Sequence, residues 1–428
     1  MAHDAADRFV AGEQELIAYT ARTFERRRTD CGRAHHYAGW AHSSATIIEG
    51  ATSLILVDAL DSPDSAREML ADARTYTDKP VKTIVFTHGH PDHRGGSGAF
   101  RDTVEDVICM APSAVPLPGY NRLEDVLGAR GRRQHGYGLT DEEAICQGIG
   151  IREGKERGLA GYDMLAPTRV LASGRHKLAI DGVELELIAA PGEMDDTLYV
   201  WLPAERVLCC GDNYYACWPN LYAIRGTQYR SVAQWVDALS ALIALEPEVL
   251  FPGHTPALVG AALIREQVGA YRDAIAWVFD QTLACMNEGM TLEETVEAVQ
   301  LPERFASKPY LGEFYGTVAW SVKSIYTGYL GWFDGAPEHL VPVPARERAR
   351  ELVALIGEER LQGRIEELAR DGSYQMALEL LALMAQAGCA YAESESARDL
   401  KRACLKGRAR EMTSANARHY LIASAREL

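Results

Sequence analysis

The spacing of apolar and polar positions divides the chain near residue 261: strands and helices alternate before it, and only helical spacing follows it. Residues 12–28 place Leu16, Ile17, Tyr19, Thr20 and Phe24 on one helical face, which predicts a helix ending in Arg26-Arg27-Arg28, where the dipole favours basic side chains. The apolar runs Ala45–Glu49 and Ser53–Asp58, split by Gly50, predict paired strands; residues 64–77 predict an amphipathic helix and Lys82–Thr87 a buried strand. This order, β, β, α, β, is that of a layered α/β fold. From Pro112 to Pro167 the pattern loosens and glycines become dense. The run Gly128–Gly138 within it is expected to be a loop over the site, contributing to an anion pocket, with His135 and Tyr137 as candidate contacts. Strand signals resume at Arg169–Ala172, Lys177–Ile180, Val183–Ala189, Thr197–Trp201, Arg206–Cys210 and Val249–Phe251, with a helix predicted over 230–245. Beyond Ala261 everything reads as helix, and Asp371–Leu381 as the turn and second helix of a hairpin.

A chain of 428 residues can bury a sizeable core, and the change of pattern places two domains at 1–260 and 261–428. With 47% hydrophobic and 24% charged residues the composition is that of an ordinary globular protein. The net charge of -16 argues against nucleic acid as a partner, because phosphate backbones attract basic surfaces. The nine cysteines are scattered without C-x-x-C spacing, as in a protein that keeps its thiols reduced. Met1–Ala11 has no basic stretch followed by an apolar one, and no run is long and apolar enough for a membrane span, so the cytoplasm is the expected compartment and no membrane partner is expected.

The chemistry concentrates in Thr87-His88-Gly89-His90-Pro91-Asp92-His93-Arg94-Gly95-Gly96, directly after a predicted strand. Imidazoles and a carboxylate at such close spacing can converge on one point. That donor set suits zinc first, with iron or manganese as alternatives. Later strands end in further donors: Glu193 after Ala190-Pro191-Gly192, Asp212 after Gly211, and His254 after Pro252-Gly253.

The pattern H-x-H-x-D-H-x-G-G at residues 88–96 resembles that of the metallo-β-lactamase superfamily without a gap, which implies an α/β fold, the αββα sandwich of that superfamily. Three further stretches, Asn220–Gly226, Tyr310–Val318 and Tyr329–Gly335, together with Glu193 where the superfamily more commonly has histidine, resemble the zinc-dependent alkylsulfatases. That resemblance implies an all-α alkylsulfatase-type dimerisation domain after the sandwich, and hence a homodimer. It also implies two Zn2+ per chain, one held by His88, His90 and Glu193 and the other by Asp92, His93 and His254, with Asp212 and a water between them. Asp92 and Asp212 are thereby the expected catalytic carboxylates, and Asn220 and Arg225 the expected sulfate contacts beside Tyr137. Three departures stand out. Asp212 occupies a position more typically glutamate, the segment 213–219 is aromatic where the family tends to have Thr and His, and the chain ends without a sterol-carrier-like domain. The aromatic residues Tyr214, Tyr215, Trp218 and Tyr222 are expected to line the route to the metals. The expected activity is hydrolysis of an alkyl or aryl sulfate ester, a small-molecule substrate; hydrolysis of a carboxylic ester, lactone or phosphoester on the same scaffold is the alternative. A scaffold protein with a relict site would show a broken ligand set, whereas all the expected ligand positions hold competent side chains.

Overall fold

The computed structural model describes residues 5–114 and 117–428, so residues 1–4 of the N-terminal stretch Met1–Ala11 lie outside the described residues. Two β-sheets pack face to face. The first has, side by side in chain order, β1 (Arg27–Cys31), β2 (Ala34–Ala38), β3 (Ala45–Glu49), β4 (Leu54–Val57), β5 (Val81–Val85), β6 (Asp106–Met110) and β7 (Arg169–Leu171). Pairing is antiparallel from β1 to β4 and parallel from β4 to β7. The second sheet holds β8 (Arg175–Ile180), β9 (Val183–Ala189), β10 (Leu198–Leu202), β11 (Val207–Gly211), β12 (Val249–Pro252) and β13 (Leu258–Val259), again as neighbours in chain order. Its β11 and β12 are parallel, because the helix Val232–Ala244 carries the chain back across the sheet between them.

Side-chain alternation explains why the central strands read as unbroken apolar runs: both of their faces are covered. Ile55, Val57, Val200, Leu202, Val249 and Phe251 point between the sheets. Their neighbours point outwards, Leu56 and Ile84 against the helix Pro63–Ala73, and Tyr199 and Leu250 against Trp235, Leu239, Val268 and Tyr271 of the helices Val232–Ala244 and Ala261–Asn287. The result is a helix, sheet, sheet, helix sandwich followed by helices alone to the C-terminus, as expected. The hairpin at Asp371 is the bend between the helices Glu358–Arg370 and Tyr374–Ala387.

Three sequence expectations are corrected. The first helix is Ala5–Thr23 and stops before the arginine triplet; Arg27 and Arg28 belong to β1, and Arg26 and Arg28 reach across to Glu68 and Asp72. Strands β1 and β2 precede the two opening strands that the pattern showed. The glycine-rich stretch over 128–138 is mostly a helix, Glu124–His135, capped by Gly136 at a φ of 69°, where a left-handed residue closes the last turn.

Candidate metal centre

Every chemistry-bearing residue of the motif lies where a strand ends, along one rim of the sandwich. Asp58 follows β4, the loop from Thr87 to His93 follows β5, Glu193 sits in the turn after β9, Asp212 follows β11, and His254 follows β12. Two glycines allow these loops to close on each other. A Cβ on Gly96 would collide with the Ala59 carbonyl, and one on Gly253 would collide with the Asp212 carboxylate. Both positions require glycine for close approach and not for an unusual backbone angle.

The imidazoles are aimed by a chain of hydrogen bonds that starts at Asp58, which is 3% exposed. Its carboxylate accepts from the Thr87 amide at 2.8 Å and the Thr87 hydroxyl at 2.7 Å, and pairs with His93 Nδ1 at 2.8 Å. Because the Thr87 hydroxyl has given its proton to Asp58, it accepts from His88 Nδ1, 3.0 Å away. His254 Nδ1 donates to the His42 carbonyl at 2.8 Å. In all three rings the Nδ1 proton is thus committed and Nε2 faces inwards.

Those inward nitrogens meet carboxylates in two groups. His88, His90, Glu193 and Asp212 offer donor atoms within 4.8 Å of one another, as do His93, Asp212 and His254. Asp212 stands between them, with Oδ2 3.6 Å from His88 Nε2 and 3.2 Å from His254 Nε2, and Oδ1 3.2 Å from His93 Nε2. Asp92 Oδ2 completes the second group, 3.4 Å from His93 Nε2 and 3.5 Å from His254 Nε2. His42, which the sequence analysis did not single out, adds an imidazole 3.9 Å from Asp92. No spacing in the sequence ties it to the others.

This donor set fits divalent metal. Glu193 Oε2 and Asp212 Oδ1 are buried without a hydrogen-bond partner, and His88 Nε2 and His90 Nδ1 face each other at 3.0 Å. Burial, and then the neighbouring imidazole in each case, hold His88 and His90 below the usual histidine range, so both present lone pairs. Burial alone would raise Asp92 and Asp212, but the surrounding imidazoles outweigh it and hold both carboxylates ionised. Burial would lower His93, and Asp212, Asp92 and Asp58 overcome it to raise the ring; a bound dication would take the place of the proton these carboxylates draw onto the ring.

A cavity of about 360 Å³ opens over both groups and is lined by His90, Asp92, Tyr137, Asn220, Arg225 and Tyr315, among others. Asn220 is 2% exposed, and its side-chain oxygen is buried without a hydrogen-bond partner among the described residues. Arg225 faces the same cavity; its guanidinium donates to the Gly226 carbonyl at 3.2 Å and meets no carboxylate among the described residues. Tyr137 lines the cavity with its hydroxyl 2.6 Å from Glu153. Arg230 and Tyr315 are among the contributors that were missed. Arg230, 6% exposed, pairs with Glu193 Oε1 at 2.8 Å and also donates to the Asn220 carbonyl, so it ties a donor of the first group to the cavity wall. Tyr315 comes from the helical part of the chain, within a stretch already singled out for its pattern. The aromatic cluster is corrected: Tyr214 and Trp218 are fully buried core, bonded to Gln267 and Ser321, and Tyr222 does not line the cavity. Tyr215 is also buried and braces the floor by accepting from the Asn220 amide at 2.8 Å.

Fold and site define a scaffold of a recognised type. The family model described as "Metallo-beta-lactamase superfamily" matches residues 38–254, and the chain belongs to that superfamily. The model described as "Alkyl sulfatase dimerisation" matches residues 291–428. Among curated relatives, a linear primary-alkylsulfatase of Pseudomonas sp. (strain ATCC 19151) is 36% identical over 328 residues, which cover 73% of this chain and 60% of the relative. An alkyl/aryl-sulfatase of Saccharomyces cerevisiae is 30% identical over 327 residues, 74% of this chain and 50% of that protein. The chain thus spans between half and two thirds of the length of these relatives. The structure of the stereoselective inverting sec-alkylsulfatase Pisa1 from Pseudomonas sp. superposes over 99% of this chain and 68% of its own, with a TM-score of 0.84 at 23% identity, a likeness of fold.

Proposed function

We propose that this protein is a dizinc hydrolase that cleaves an organic sulfate ester to an alcohol and inorganic sulfate. The observation that carries the reading is the pairing of two donor groups in one cavity with Arg225, which has no acidic partner among the described residues, and with the Asn220 side chain. The names of the curated relatives, alkylsulfatases, support the same reaction. We assign His88, His90 and Glu193 to one zinc and Asp92, His93 and His254 to the other, with Asp212 between them. When bound, the pair supplies a water acidified toward neutrality and positive charge beside the ester oxygens. The chain's own groups do the rest. The planar Arg225 fork and the Asn220 amide orient the sulfate oxygens, and Arg230, fixed by Glu193, adds positive charge behind them. Asp92 and Asp212, held ionised, are the carboxylates we assign to catalysis. Tyr137 and Tyr315 close the cavity against bulk water.

We divide the protein into a catalytic unit at 1–260 and a helical unit at 261–428, with the helix Ala261–Asn287 as the wall between them. Trp332 is 76% exposed, Val341 86% and Leu355 84%, apolar side chains of the helical unit that we assign to contact with a second copy of the chain in a homodimer. Among the described residues no helix is long and apolar enough to cross a membrane. All nine cysteines are free thiols, which agrees with the cytoplasmic setting we infer.

The test is Arg225→Ala. The variant is expected to keep both metals, by elemental analysis, and to lose sulfate ester turnover by about a hundredfold or more, the worth of a charge-assisted fork. Turnover at the parent rate would remove Arg225 from the assignment.

A further inference from the structure

Part of the cavity lining is polar without belonging to the donor groups, and this bears on the organic part of the substrate. Glu153, 3% exposed, accepts from the Tyr137 hydroxyl at 2.6 Å through one oxygen and from the Tyr162 hydroxyl through the other. The Lys155 ammonium lies 3.7 Å from the Tyr137 ring centroid and 4.7 Å from that of Tyr162, and 3.4 Å from the Glu153 carboxylate. Each phenol has therefore spent its proton, and its oxygen is left to accept. Beside them, His135 Nδ1 and Gln134 Nε2 are buried without a partner. The Gln134 orientation is fixed, because its Oε1 accepts from the Arg225 amide at 2.7 Å. Pro91 and Ile149 are the aliphatic residues among the lining.

From this part of the lining we propose that the alcohol released is compact and carries hydroxyl groups of its own, as in the sulfate monoester of a polyol or monosaccharide. The inference rests on the reading of the cavity as an ester hydrolase site. A hydroxyl donates one hydrogen bond and accepts two, which matches phenol oxygens beside an amide and an imidazole. A methylene chain laid on the same lining would strip water from these groups and return nothing. The volume of about 360 Å³ is at the lower end for small-molecule sites, which suits a compact ligand.

The test is a panel with two axes, run on the metal-loaded protein. Glycerol and glucose monoesters are set against butyl and hexyl monoesters, each alcohol supplied as its sulfate and as its phosphate. The expected result is kcat/KM for the hydroxylated sulfates above that of the alkyl sulfates by about tenfold or more, the worth of one such bond. His135→Phe, which keeps a ring stacked on Tyr137, and separately Tyr162→Phe, are expected to shrink that ratio. A preference for the alkyl esters would overturn the proposal and place the organic part in the neighbouring cavity of about 270 Å³ beside Met194 and Tyr229. Cleavage of hydroxylated phosphates without sulfate release would overturn the sulfate reading and uphold the alcohol. No cleavage on either axis would overturn both.

Discussion

Asp58→Asn tests the group that aims the second donor cluster from outside it, through the hydrogen bond to His93 Nδ1. Asparagine matches aspartate in size and tolerates the backbone φ of 57° at this position, so the loop is expected to keep its course. The native carboxylate meets three donors: the Thr87 amide, the Thr87 hydroxyl and His93 Nδ1, all within 2.8 Å. Asparagine keeps one accepting oxygen and puts an NH2 against the donors that faced the other. Loss of such an outer partner costs about ten- to a hundredfold in metal affinity, or about 1.4 to 2.7 kcal/mol. A competition titration against a chromophoric chelator would read the effect. One metal equivalent is expected to weaken by that factor, while the equivalent at His90 and Glu193 changes less. If both equivalents bound Asp58→Asn as tightly as the parent, the chain of aim from Asp58 through Thr87 to the imidazoles would be refuted.

Arg230→Ala strands the Glu193 carboxylate, and breaking a buried pair in this way costs about 3 to 5 kcal/mol; urea unfolding of the metal-free protein should show that loss, and an unchanged midpoint would contradict the pairing. Trp332→Asp combined with Val341→Asp places two charges among the exposed apolar side chains of the helical unit. Light scattering at micromolar concentration is expected to report a monomer for the variant and a dimer for the parent, and a dimeric variant would move the interface elsewhere.

The metal loop was legible because its donors are neighbours in sequence and follow a strand whose two faces are both buried. That Glu193, Asp212 and His254 reach the same rim was legible because each stands just past the end of an apolar run. Arg230 and His42 were not. The Arg230 contact with Glu193 spans 37 residues and exists only once β10, β11 and the turn after them have folded. Strand β1 was hidden by its place at the sheet edge, where charged side chains face solvent and imitate a helix end. The helix Glu124–His135 was hidden by Gly128 and Gly131, which lower helix propensity. Tertiary contact overrides that cost: the His419 ring lies against Gly136 and pairs with the Gln134 carbonyl at 3.0 Å. The aromatic run 214–218 misled in the opposite direction, since its position after a predicted ligand suggested an entrance where the fold places core.

The central claim is tested most directly by sulfate release. Purified protein would be stripped of metal with a chelator, reloaded with zinc, and assayed for inorganic sulfate from alkyl, aryl and hydroxylated sulfate esters beside carboxylic and phosphate esters. The account predicts no sulfate from the stripped protein and release restored at two zinc per chain. Cleavage of the other esters alone, or sulfate release that survives complete removal of metal, would contradict it.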